Sequence, residues 1–191
     1  AQGGSGSGGS GSGGRIAVYY DPLTQAAYSV PSLAISTRSL FAGAWAYDGA
    51  KHSRIGTVVV PDDYLLTSPT RHDGIWMPIS PFPSLALGAL VLDNKWLRLG
   101  GSDRQLVLAA DSVLVKGEAR FELVNTEVSC NGLVITNKGV MELYGEGGSN
   151  PGLTVEHDAV LADKSYFTVY AGEATGVGTA AVGVEVGGRF D

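Results

Sequence analysis

The sequence predicts an all-β protein. Its body reads as a short-strand β-solenoid, with a β-sandwich as the alternative, preceded by a flexible Gly/Ser arm and a Pro-rich extended region. Three observations lead there. Glycine makes up 28 of 191 residues, about twice the ordinary share, so the chain is rich in turns. Hydrophobic residues are 44% and charged residues 17%, apolar enough for a real core and too weakly charged for an intrinsically disordered chain. Beyond Ser84 the apolar residues come in triplets and quartets broken by Gly, Asn, Asp and Ser.

The arm occupies residues 1–14. Residues 3–14 are only Gly and Ser, a composition with no apolar surface to offset the backbone entropy lost on ordering. It is either an artificial linker or an arm that a partner molecule holds in place, and the second is the expectation here. Gly4, Gly6 and Gly9 match G-x-G-x-x-G, but no strand precedes them and no helix follows, so the match carries no nucleotide-binding meaning.

The second region, residues 15–84, holds seven of the eight prolines. Residues 16–20, 55–60 and 64–67 read as edge strands between proline breaks, and 78–83 reads as a stiff extended bridge. Residues 39–46 are the one helical candidate, weakened by Gly43.

The third region, residues 85–191, is the β-rich body. Its triplets begin at Leu85, Leu90, Leu97, Leu106, Val113, Phe121, Val128, Leu133 and Val140, a mean step just under seven. Strands this short make poor hairpins, whereas a parallel solenoid uses them, with three steps of about 21 residues closing one coil. Leu-x-Leu and Val-x-Val send two side chains inward and the middle one out. Lys116-Gly117, Asn131-Gly132 and Lys138-Gly139 are expected corners with positive φ. In the sandwich alternative, Asp93-Asn94, Asn131-Gly132 and Lys138-Gly139 become hairpin turns. Leu114 and Val134 are expected in the dry core. The tail continues with Leu153-Thr154-Val155, residues 166–170, and residues 180–186, where Val182, Val184 and Val186 share a face and the other face is open to water or a neighbouring subunit.

The net charge is −6 and the pI about 5.0, which argues against a nucleic-acid binder that must neutralise phosphates. Residues 1–110 carry eight Lys/Arg against seven Asp/Glu and residues 111–191 five against twelve, so a cationic partner suits the second part better than an anionic lipid surface. The longest apolar run, eight residues from Leu85 to Leu92, is far below the roughly 20 a membrane helix needs. No signal-peptide pattern opens the chain, so ordinary export is not expected. Cys130 is the one cysteine, which excludes an intrachain disulfide.

Catalytic and metal motifs are scarce, and no cofactor is expected. His52, His72 and His157 lack a second His or Cys at ligand spacing. His72-Asp73, Glu156-His157-Asp158 and Asp62-Asp63 read as turn residues, because neighbours on a strand face opposite ways. Cys130 reads as a buried structural thiol. No G-x-S-x-G elbow or phosphate-binding loop occurs. Tyr19, Tyr20, Tyr28, Trp45, Tyr47, Tyr64, Trp76 and Phe82 concentrate in the Pro-rich region and read as core and interface residues, with sugar stacking as the alternative.

A Gly/Ser arm, a Pro-rich region and short Gly/Asn-punctuated β repeats without a catalytic motif resemble bacteriophage virion structural proteins of the capsid-decoration, head-fibre, tail-fibre and tailspike types. The resemblance is architectural. It implies a non-enzymatic protein located in the virion and assembled in the host cytoplasm. Other virion proteins would be its partners, and it would self-associate, most naturally as a homotrimer. No nucleic-acid or membrane partner is expected. Docking would fall on the N-terminal region, on Gly4, Gly6, Gly9, Gly11, Arg15, Tyr19 and Tyr20. The alternative is a surface protein that binds or cleaves a cell-surface glycan.

Overall fold

The computed structural model describes residues 5–6, 9–10, 13–37, 55–66, 71–78, 82–101, 104–146, 151–171, 183–186 and 189. In the arm, β1 (Ser5–Gly6) and β2 (Gly9–Ser10) form a small antiparallel pair with Gly6 opposite Gly9. The remaining strands lie in two parallel sheets that wind as a β-solenoid of about four turns.

The first sheet starts within the Pro-rich stretch. β3 (Arg15–Ala17), β4 (Gly56–Val59) and β5 (Ile75–Met77) are its first three strands, where the sequence predicts strands over 16–20 and 55–60. Of the strand expected over 64–67, residues 64–66 differ from expectation and Thr67 lies outside the described residues. Tyr64–Leu66 is a 3-10 turn whose Tyr64 N–H donates to the Asp62 carboxylate, and that local bond satisfies the backbone better than an unpaired edge would. A second unforeseen element is the helical turn α1 (Pro22–Gln25). Asp21 caps it by accepting from the Leu23 N–H, and Pro22 opens it, a start signal present in Asp21-Pro22. The predicted helix over 39–46 lies outside the described residues.

From Ser84 onward each coil has one long strand and one short strand. β6 (Ser84–Asp93) leads to β7 (Trp96–Leu99), β8 (Leu106–Lys116) to β9 (Arg120–Val124), and β10 (Thr126–Ile135) to β11 (Val140–Gly145). The next coil splits the long strand into β12 (Gly152–Val155) and β13 (Ala159–Leu161), followed by β14 (Tyr166–Ala171). β15 (Gly183–Val186) then pairs with β12. All these ladders are parallel, so the sandwich alternative and its hairpins do not occur. The nine triplets fall three to a coil, the first two of each coil fused into one long strand. Leu85 pairs with Leu108 and Leu108 with Val128, separations that bracket the expected coil length.

The fusion explains Asn131-Gly132, which is no turn. It lies inside β10 where the inward parity shifts by one: Cys130 and Leu133 are buried on either side. Register skips that position, running from Cys130↔Ala110 to Gly132↔Ser112. The true corners follow the long strands, at Asn94, Gly117, Asn137-Lys138 and Asp163-Lys164, all with positive φ. At Gly117 (φ 67) an added Cβ would meet the Asn94 side chain at 2.7 Å.

Core side chains stack rung on rung, as in Leu85–Leu108–Val128–Leu153, Leu90–Val113–Leu133–Ala159 and Leu97–Phe121–Met141–Phe167. Leu114 and Val134 correct the expectation. They are the middle residues of their triplets and face outward, Val134 being 36% exposed, while Val113, Val115, Leu133 and Ile135 fill the core.

Candidate functional site

Parallel register repeats a side-chain position at every coil, about 4.8 Å apart. On the outer face of the first sheet, one such column runs Arg15, Thr57, Trp76, Arg98, Glu122, Glu142, Thr168. Three consecutive members are charged yet buried: Arg98 is 6% exposed, Glu122 4% and Glu142 2%. Each sits in the middle of an apolar triplet, so alternation sends it out of the hydrophobic core and onto the same stripe as its counterparts.

Their charges are matched. Arg98 Nη1 lies 3.4 Å from Glu122 Oε2, and Arg120 Nη1 lies 3.6 Å from both Glu122 Oε1 and Glu142 Oε2. Tyr170 donates its hydroxyl to Glu142 Oε1 at 3.4 Å. Aromatic rings cover the column: Arg98 lies 4.7 Å from the Trp76 ring centre and 5.6 Å from that of Tyr144, and Arg120 lies 5.7 Å from that of Trp96. Tyr144 stacks flat on Tyr170 at 4.6 Å. Burial, then the Glu142 and Glu122 carboxylates, push the Tyr144 phenol above its usual range.

Two carboxylates one rung apart have about the separation of a retaining glycosidase pair. Here Arg120 bridges them and both are shielded from solvent, an arrangement suited to holding adjacent coils in register. Among the described residues, no group of three His, Cys, Asp or Glu is placed to hold a metal ion.

A second feature gathers around the predicted docking residues. Arg15 is exposed on β3 and Tyr19 is 84% exposed, whereas Tyr20 turns back and donates its hydroxyl to Asp62. Gly6 and Gly9 face each other across the arm's strand pair; Gly4 and Gly11 lie outside the described residues. The structure adds neighbours that the sequence reading did not name. From Asp21 to Ala34 the chain leaves the body without one buried residue, and Leu23 (88% exposed) and Tyr28 (66%) stand in water with Val30 and Leu33. The available signal was the lack of any charged residue between Pro22 and Thr37. Three side-chain contacts fix this excursion: Tyr20 to Asp62, the Tyr64 hydroxyl to the Tyr28 carbonyl, and the Ile35 N–H to His72 Nδ1 at 3.1 Å.

The remaining candidates hold structural places. His72 is buried, His157 is exposed on a turn and His52 lies outside the described residues. Cys130 packs in the core between Ala110 and Val155, and burial, then Glu156, push its thiol up to about 11, which suppresses the reactive thiolate. A shallow groove of about 280 Å³ crosses the bend of the long strands, with Asp111, Asn131 and Glu156 along it. No family model matches the chain, and neither the curated proteins nor the solved structures searched give a match.

Proposed function

We propose that this protein is a non-enzymatic structural component of a viral particle, of the phage decoration or fibre kind, in which the solenoid projects and the N-terminal region docks. The observation that carries the reading is the excursion from Asp21 to Ala34, which has no charged residue after Asp21 and no buried one. A surface loop that exposes Tyr19, Leu23, Tyr28, Val30 and Leu33 together offers a contact surface rather than a solvated one. The charge column supports the same reading, because its carboxylates are engaged with arginines and covered by rings. Self-association as a trimer belongs to the proposal. Its support is an outward aliphatic column, Val91, Leu114, Val134 and Val160, that repeats over four coils and leaves Val91 37% exposed.

Mass spectrometry of purified particles from the source tests the location: the chain should co-purify at a fixed copy number, and its absence from particles would overturn the reading. Light scattering on the full chain tests the assembly, with a trimer expected and a monodisperse monomer at micromolar concentration opposing it. The glycan reading draws on Tyr166, 62% exposed on the last strand of the first sheet. Binding to a surface polysaccharide that is lost with Tyr166→Ala would favour it.

A further inference from the structure

His72 joins two segments to the body from a buried position. Its Nδ1 accepts the Ile35 N–H at 3.1 Å, and its Nε2 faces the Leu65 carbonyl at 3.1 Å. These two partners determine the tautomer: Nδ1 must be bare to accept and Nε2 must carry the proton to donate. Protonation would put an N–H at Nδ1 against the Ile35 N–H, two donors facing each other in a buried place.

We propose that His72 is an acid-sensitive latch on the docking excursion: its protonation breaks the bond to the Ile35 N–H and loosens the loop from Asp21 to Ala34 where it rejoins the body. The groups around it act in one direction. Arg71 on its own segment and Lys95 on the neighbouring turn both oppose a positive imidazole, and so, most strongly, does burial; the Leu65 carbonyl alone opposes them. Asp73 next door directs its carboxylate to the Trp96 N–H, and Asp62, ahead of the 3-10 turn, is held by Tyr20 and Tyr64. Residues 31–37 carry no charge. The other end of the excursion stays fixed, since β3 is paired with β4 and Val18 N–H donates to the Val59 carbonyl. Beyond His72 the chain stays tied to the body, by the Asp73 N–H to the Ile35 carbonyl at 3.0 Å and by the Thr37 hydroxyl to the Gly74 carbonyl at 2.6 Å, so release loosens the loop between its anchors without detaching it.

The sign follows from the depressed native value. The unfolded chain protonates this residue near pH 6.5, so the latch contributes fully above that pH and is lost as the pH falls through the lower native value. What release serves rests on the docking reading above; whether release occurs does not, because the test uses the isolated full chain.

The test is amide hydrogen exchange of the chain from pH 7.5 down to pH 4.5, with protection factors corrected for intrinsic rates, alongside ¹⁵N spectra of the His72 ring. The expected result is a fall in Ile35 protection of about tenfold or more with the same midpoint as the ring titration, while Phe121 and Leu123 stay protected. His72→Gln, which keeps an acceptor and a donor but does not titrate, should hold Ile35 protected at every pH. Ile35 protection that is unchanged with pH, or that falls at a midpoint apart from that of the ring, would overturn the latch. If His72→Gln does not fold, the wild-type midpoints alone decide it.

Discussion

The regular coils after Ser84 and the segments before them solve the same burial problem differently. In the coils most positions have a counterpart on a neighbouring rung, so charges are met by repetition: Arg98, Glu122 and Glu142 follow one another in one column and Arg120, two residues before Glu122 on the same face, lies against both carboxylates. Before Ser84, β3, β4 and β5 still pair in the first sheet, but the excursion between them is held by single contacts over long sequence separations, Tyr20 to Asp62, Tyr64 to Tyr28 and His72 to Ile35, and leaves apolar side chains outside. Repetition makes a self-sufficient body, and its absence leaves a surface that another molecule can complete.

The sharpest break of that contrast comes from adjacent residues in the coils. Leu133→Asp and Val113→Asp place an unpaired charge in a dry core and should cost about 4 kcal/mol or more, enough to unfold the body. Val134→Asp and Leu114→Asp, one residue away, should change the monomer's stability by about 0.5 kcal/mol. Denaturant titration of the four variants checks the register. Equal losses at 133 and 134 would mean that the coils do not alternate as described.

Arg120→Met should follow, at about 3–5 kcal/mol, because Glu122 and Glu142 would then lie one rung apart without the cation between them. Adding Glu142→Gln to Arg120→Met should recover part of that loss, and a double-mutant cycle would measure the coupling. An additive cycle would show that the column does not act as a unit.

The single contacts of the first segments are weaker. Tyr20→Phe removes one hydrogen bond to Asp62 and should cost about 1 kcal/mol by denaturant titration, with the loss confined, in hydrogen exchange, to the excursion and the turn at Asp62. Uniform loosening of the coils would contradict the division between the two regions.

Legibility followed the same division. The triplet spacing revealed the solenoid because stacked coils impose one pattern on many residues, and Leu97, Phe121 and Met141 carry the same message three times. The bend at Asn131-Gly132 was misread as a corner because a dipeptide with turn chemistry also fits a mid-strand kink, and only register distinguishes them. Choosing Leu114 and Val134 as core residues overlooked the alternation that makes the ends of a triplet inward. The charge column was visible in principle, as Arg98, Glu122 and Glu142 each stand between two apolar residues. His72 and Ile35 were not, since nothing local to either residue reports a contact across 37 positions.

The smallest expected effect on stability is also the most direct test of the docking account. Tyr19→Ser, Leu23→Ser and Tyr28→Ser combined in one chain remove the exposed apolar groups of the excursion and touch no buried residue. The melting temperature and the copy number on purified particles should be measured together. The account predicts a melting temperature within about 2 °C of the parent's and particles that have lost the protein. Particles carrying the normal number of copies of this variant would contradict it.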